Sequence, residues 1–123
     1  MREILFRGKR TDTGKWISGQ LARYNLRFDV ANMVDEHEML VPVLTKTIGQ
    51  FTGLTDKNGK KIFEGDICKV GNLFYKVEFI YSCWWFTILS SKVYCCPAFD
   101  SHCGEYCEII GNIHDNPELL ENP

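Results

Sequence analysis

The 123-residue chain is long enough to close one compact core and too short for two large ones. Its composition, 45% hydrophobic and 13% aromatic with three Trp and eight Phe, excludes intrinsic disorder and suits a β-rich core. A net charge of −2 removes any global electrostatic case for nucleic-acid binding, and no apolar run approaches the ~20 residues that a membrane span requires.

In chain order, Ile4 to Phe6 and Trp16 to Tyr24 read as strands joined by a turn at Asp12-Thr13-Gly14, with Trp16, Gly19 and Leu21 marking a bend. From Arg23 to Glu38 strict alternation fails. The polar cluster Asp35-Glu36-His37-Glu38 makes this stretch a long loop or irregular strand, and its acids a solvated face. Val41-Pro42-Val43-Leu44 reads as an edge strand, because proline has no N–H to give to a ladder. Ile48 to Phe51 then enters a run of turn chemistry that extends to Cys68. Within it Asn58-Gly59 tolerates positive φ at both central positions and predicts a two-residue hairpin loop. Glu64-Gly65-Asp66 supplies a second turn.

Ile67 to Val70 and Leu73 to Ile80 form the next expected hairpin, about Gly71-Asn72. Trp84 to Leu89 and Lys92 to Cys95 follow as strands around Ser90-Ser91, and Glu108 to Ile113 closes the sheet. Asn116-Pro117-Glu118 places a cap residue before a proline at the first helical position, which predicts one short helical turn through Leu120.

The small net charge hides an uneven distribution. Residues 1–27 hold seven basic side chains against Glu3 and Asp12, a net of +5, whereas from Val93 onward there is no Lys or Arg and six acids. Such opposed ends balance within one fold, pair across a homo-oligomer, or leave a basic face for an anionic partner. Arg7-Gly8-Lys9-Arg10 is too short to define a nucleic-acid patch alone, and an exposed aromatic beside it strengthens that reading.

Three stretches carry a family resemblance. The opening Met1-Arg2-Glu3-Ile4-Leu5-Phe6-Arg7-Gly8-Lys9-Arg10, with Gly14-Lys15-Trp16-Ile17 and Gly19 after it, is one, and the run from Gly49 to Cys68 is the second. The third is the closing Glu108-Ile109-Ile110-Gly111-Asn112-Ile113-His114-Asp115-Asn116-Pro117-Glu118-Leu119-Leu120. Together they resemble the YopX family of phage and prophage proteins, nearly end to end, with the weakest agreement from Leu26 to Val41 and from Tyr81 to Cys107. The resemblance implies an all-β fold containing an SH3-like barrel, an origin in phage or integrated prophage genomes, and no settled biochemical activity. Gln50, Asp56, Glu64 and Asp66 match the family pattern and are carried over as candidate binding positions. The structural alternative is that the three acids accept bonds from turn N–H groups, as short acidic side chains commonly do.

Six cysteines in a chain that starts without a long apolar signal segment read as reduced thiols of the cytosol. Cys95, Cys96, His102, Cys103 and Cys107 are the soft-ligand candidates for a structural zinc, but the spacing departs from paired knuckles and adjacent strand residues point to opposite faces. No cofactor is therefore expected, and zinc is the minor alternative. No catalytic constellation emerges: His114 reads as a strand-end neighbour, and the glycines read as turn residues rather than a phosphate loop. In Trp84-Trp85-Phe86 one tryptophan enters the core while the other faces outward, as an interface or beneath a covering layer.

These observations point to one domain spanning 1–123, or two small β subdomains of about 1–45 and 46–123. The fold class is mainly β: a small SH3-like barrel, further antiparallel strands and a short C-terminal helical turn. The expected role is a non-catalytic binding module in the bacterial cytoplasm that contacts a host or phage protein, with a homo-oligomer compatible. Nucleic acid bound through the basic N-terminal segment is one alternative, and a zinc- or thiol-dependent protein using Cys95 to Cys107 is another.

Overall fold

The computed structural model describes residues 4–24, 29–71, 73–80, 83–88, 94–96 and 107–121, and side chains for all of these except 23, 24, 73, 80, 83–88, 94–96 and 121. The described fold is mainly β and antiparallel, and it divides into two compact units, Met1–Phe51 and Thr52–Pro123.

The first unit contains β1 (Phe6–Lys9), β2 (Trp16–Tyr24), β3 (Val30–Val34), β4 (Leu40–Leu44) and the start of β5 (Gly49–Thr55), hydrogen-bonded in the order β4-β3-β2-β1-β5. β1 begins two residues later than the apolar run Ile4 to Phe6 suggests. Its register, Phe6 opposite Gly19 through Lys9 opposite Trp16, is set by the turn bonds Gly14 N to Arg10 O and Arg10 N to Lys15 O, which draw the charged Arg7 and Lys9 into the ladder. The bend expected near Gly19 is a register shift between Leu21 and Arg23. At Gly19 itself a Cβ would collide with the Val34 carbonyl, so glycine permits the close approach of β2 to β3. Pro42 sits on the edge strand β4, opposite Asn32, and Thr11 N donates to its carbonyl at 3.1 Å. A single bridge, Arg10 to Val43, brings the chain after β1 back to that edge.

The core of this unit is Ala31, Met33, Val41 and Val43, with Phe6, Ile17 and Ile48 packed against it. Thr47, in a 3₁₀ turn at Thr45–Thr47, donates its hydroxyl to Leu44 O and accepts from Lys9 N, which ties that turn to β1. Of the loop or irregular strand expected from Arg23 to Glu38, Val30–Val34 is a strand, β3. Ala31 and Met33 alternate inward as a strand requires, but the run is only five residues long and Asn32 interrupts its apolar character.

Two hairpin loops, one in each unit, share a design. In Asp35 to Met39, Asp35 N donates to Met39 O, Glu38 N to Asp35 O, and the Asp35 carboxylate accepts from His37 N and Met39 N. In Asp56 to Lys60, Asp56 N donates to Lys60 O, Gly59 N to Asp56 O, and the carboxylate accepts from Asn58 N and Lys60 N. The fourth residue is left-handed in both, Glu38 at φ 61° and Gly59 at φ 83°. These are three-residue loops, a type I turn closed by a left-handed residue, and not the two-residue loop expected at Asn58-Gly59. Asn58 keeps negative φ because its N–H is held by Asp56.

The second unit contains the remainder of β5, then β6 (Lys61–Phe63), β7 (Asp66–Val70), β8 (Leu73–Ile80), β9 (Cys83–Ile88), β10 (Tyr94–Cys96), β11 (Glu108–Asn112) and a terminal helical turn α1 (Glu118–Glu121). β6 pairs with β5, and the other strands form a sheet in the order β10-β9-β8-β7-β11. The expected turn at Ser90-Ser91 lies outside the described residues, and β10 runs one residue beyond Cys95. Ile62, Cys68, Tyr75, Val77 and Cys107 make the core, with Leu54, Val70 and Ile109 against it.

Because a non-glycine residue in the left-handed region costs about 1–2 kcal/mol, Glu38→Gly is expected to stabilise the protein by about 1 kcal/mol. Urea unfolding of the two proteins, compared at constant m, measures it.

Candidate functional site

The central run and the closing segment meet in the second unit, and the acids of the central run supply the joint. Asp56 is 5% exposed. One carboxylate oxygen holds the Asn58 and Lys60 N–H groups at 2.8 and 2.9 Å, and the other reaches across to β11 and accepts from Ile109 N at 3.0 Å. Beside it Lys57 N donates to Cys107 O at 3.0 Å. Burial opposes the charge on Asp56, but the bonds from Ile109, Lys60 and Asn58, helped by the Lys60 ammonium, outweigh it and hold the carboxyl below the usual carboxylate range.

Asp66 is 1% exposed and accepts the Phe63 N–H at 2.8 Å, closing the turn between β6 and β7. Glu64 stands half-buried in that turn. The backbone of Gly65 is used on both sides: its N–H donates to Val77 O, and its carbonyl accepts from Ile113 N just after β11. Gln50 lies in the first unit, half-buried opposite Phe6. Of the four family-pattern positions, Gln50 thus belongs to the first unit and the three acids to the second, where Asp56 and Asp66 both bind backbone N–H groups.

The closing motif is likewise built around its own backbone. The Asn112 side chain accepts from His114 N and Asp115 N at 2.9 Å, while Asn116 returns its side-chain oxygen to Asn112 N and donates its own N–H to Asn112 O. This places His114 in a turn beyond a strand end, as its sequence context suggests.

Of the metal candidates, Cys107 lies fully buried in the core beside Cys68, a partner that sequence spacing does not reveal. His102 and Cys103 lie outside the described residues, as do the side chains of Cys95 and Cys96. Among the described residues no group of three or more His, Cys, Asp or Glu is assembled to hold a metal ion. No helix among them is long and apolar enough to cross a membrane.

The β8–β9 hairpin separates two faces. Tyr75 and Val77 are buried, and Phe79, two residues further along the same face, is 48% exposed. Phe79 is opposite Trp84 and Glu78 opposite Trp85 in the register; both tryptophan side chains lie outside the described residues. On the other face Lys76 and Glu78 form an ion pair at 2.6 Å. In the first unit the Arg7 guanidinium stacks 4.8 Å over the Trp16 ring, and Arg10 grips Asp12 through two bonds of 2.9 Å.

Comparison with protein families matches residues 5–121 to the YopX protein family, so the chain belongs to that family. No match was found among curated proteins. Among solved structures the chain is similar to the crystal structure of protein EF1440 from Enterococcus faecalis, with 22% identity over 98% of this chain and 99% of that one and a TM-score of 0.62, a likeness of fold.

Replacing Asp56 by Asn keeps an acceptor for Asn58 and Lys60 but turns an amide NH₂ toward the Ile109 N–H. The expected loss is about 1–3 kcal/mol. Since the folded pKa of Asp56 is depressed, its contribution is complete above the unfolded carboxyl value and is lost as pH falls through the folded one. Urea midpoints measured from neutral pH into the acid range should therefore fall less steeply for Asp56→Asn than for the unaltered protein.

Proposed function

We propose that this YopX-family protein is a non-catalytic binding module of phage or prophage origin, which contacts a host or phage protein in the bacterial cytoplasm through the end of its β8–β9 hairpin. The observation that carries the reading is Phe79, which stays 48% exposed where Tyr75 and Val77 of the same face are buried, at the register position of Trp84. Large aromatic side chains at a surface supply binding area at small conformational cost. The consumption of Asp56 and Asp66 by backbone N–H groups supports a scaffold role for the central run. An SH3-like closure belongs to the same reading and is supported by the bridge from Arg10 to the edge strand β4. Self-association through the same hairpin is compatible with it.

Tagged protein is expected to retain a discrete protein from bacterial lysate after nuclease treatment and at raised salt, and Phe79→Asp is expected to lose it with an unchanged urea midpoint. Equal capture by both proteins counts against the hairpin.

Nucleic-acid binding is the second reading, favoured by the stacking of Arg7 on Trp16 within the basic N-terminal segment. It predicts retention on DNA or RNA that falls steeply with salt, with a slope reduced by about one for each lost phosphate contact in Arg7→Gln and Lys9→Gln. Arg10→Gln, which breaks the pair with Asp12, completes the set.

A further inference from the structure

Cys68 and Cys107 are both free thiols, both fully buried, and part of one apolar core. Cys68 stands opposite Ile109 in the β7–β11 ladder, and Cys107 precedes Ile109 by two residues, so the two cysteines occupy diagonal positions on one face of this antiparallel pair. Each thiol is the largest single influence on the ionisation of the other. We propose that Cys68 and Cys107 form a dithiol modification site which a small peroxide oxidises to a disulfide joining β7 to β11. The structure favours peroxide over a bulky disulfide reagent because both sulfurs are covered, and a reagent close to water in size needs the least opening of the core.

The order of reaction follows from the unequal surroundings of the pair. Cys107, burial and the nearby Asp66 and Asp56 carboxylates together push the Cys68 thiol up. Cys68 in turn favours the ionised form of Cys107, against its burial and the two carboxylates. Cys107 sulfur attacks one peroxide oxygen, the O–O bond breaks, and the departing hydroxide leaves as water with the Cys107 proton. This gives a sulfenic acid on Cys107. Cys68 sulfur then attacks that sulfur, the S–O bond breaks, and hydroxide departs as a second water with the Cys68 proton. Two thiols have lost two electrons, and one peroxide has become two waters. The bridge would fasten the edge strand β11 to its neighbour β7.

The test uses the full chain, folded, treated with hydrogen peroxide, quenched, alkylated in denaturant and mapped without reduction. The expected result is a peptide pair joined through Cys68 and Cys107, formed faster in the folded chain than in urea, with the urea midpoint shifted upward and restored by dithiothreitol. Recovery of both residues as alkylated thiols or higher oxides, joining of Cys107 to Cys83, Cys95, Cys96 or Cys103 instead, or equal bridging in urea would each overturn the proposal. The mapping needs no variant; Cys68→Ala serves as a second measurement, in which peroxide should leave the midpoint unshifted and Cys107 as an acid of sulfur.

Discussion

A single carboxylate organises the second unit. Asp56 collects three backbone N–H groups, two from its own hairpin and one from Ile109 on β11, a strand that the chain reaches only after β6, β7, β8, β9 and β10. Buried N–H groups must find acceptors, and each left unpaired costs about 1–3 kcal/mol. One acid that serves two chain stretches therefore couples formation of the hairpin to docking of the closing strand. The neighbouring bonds from Lys57 to Cys107 and from Ile113 to Gly65 carry the same coupling through main-chain groups.

The resemblance to the family consequently marks architecture. Asp56, Asp66, Gly65, Asn112 and Asn116 each satisfy or position backbone groups, as turn geometry asks of them. The paired loops at Asp35 to Met39 and Asp56 to Lys60 show one solution used once in each unit, with an Asp at the first position and a left-handed residue at the fourth. Function then has to be sought on surfaces that the scaffold presents. Phe79 on the β8–β9 hairpin and the Arg7–Trp16 stack are two such features, one apolar and one cationic.

The charge asymmetry along the chain is partly settled locally. Arg10 is engaged by Asp12 two residues away, and that bond raises the arginine further and lowers the aspartate. Asp35 is likewise held below its ordinary range, first by the Met39 N–H and also by the His37 N–H and charge, against the cost of desolvation. Both cases are short-range effects of loop geometry, and neither requires a partner.

Sequence by itself determined the β class, the family, the edge position of Pro42, the turns at Gly14, Gly59, Gly65 and Gly71, and the short turn of helix after Pro117, because each rests on a local backbone rule that glycine, proline or alternation makes visible. It also admitted the reading of the turn acids as backbone acceptors. The hairpin at Asp35 stayed hidden because Glu38 stands where its twin has Gly59, and β3 stayed undecided between loop and strand because its alternation is short. Only the tertiary structure decided that Asp56 reaches Ile109, that Cys68 and Cys107 share one core, and that Phe79 emerges from the face on which Tyr75 and Val77 are buried. Each of these depends on which distant strands are neighbours and in what register, and strand pairing between remote segments leaves no local pattern in the chain.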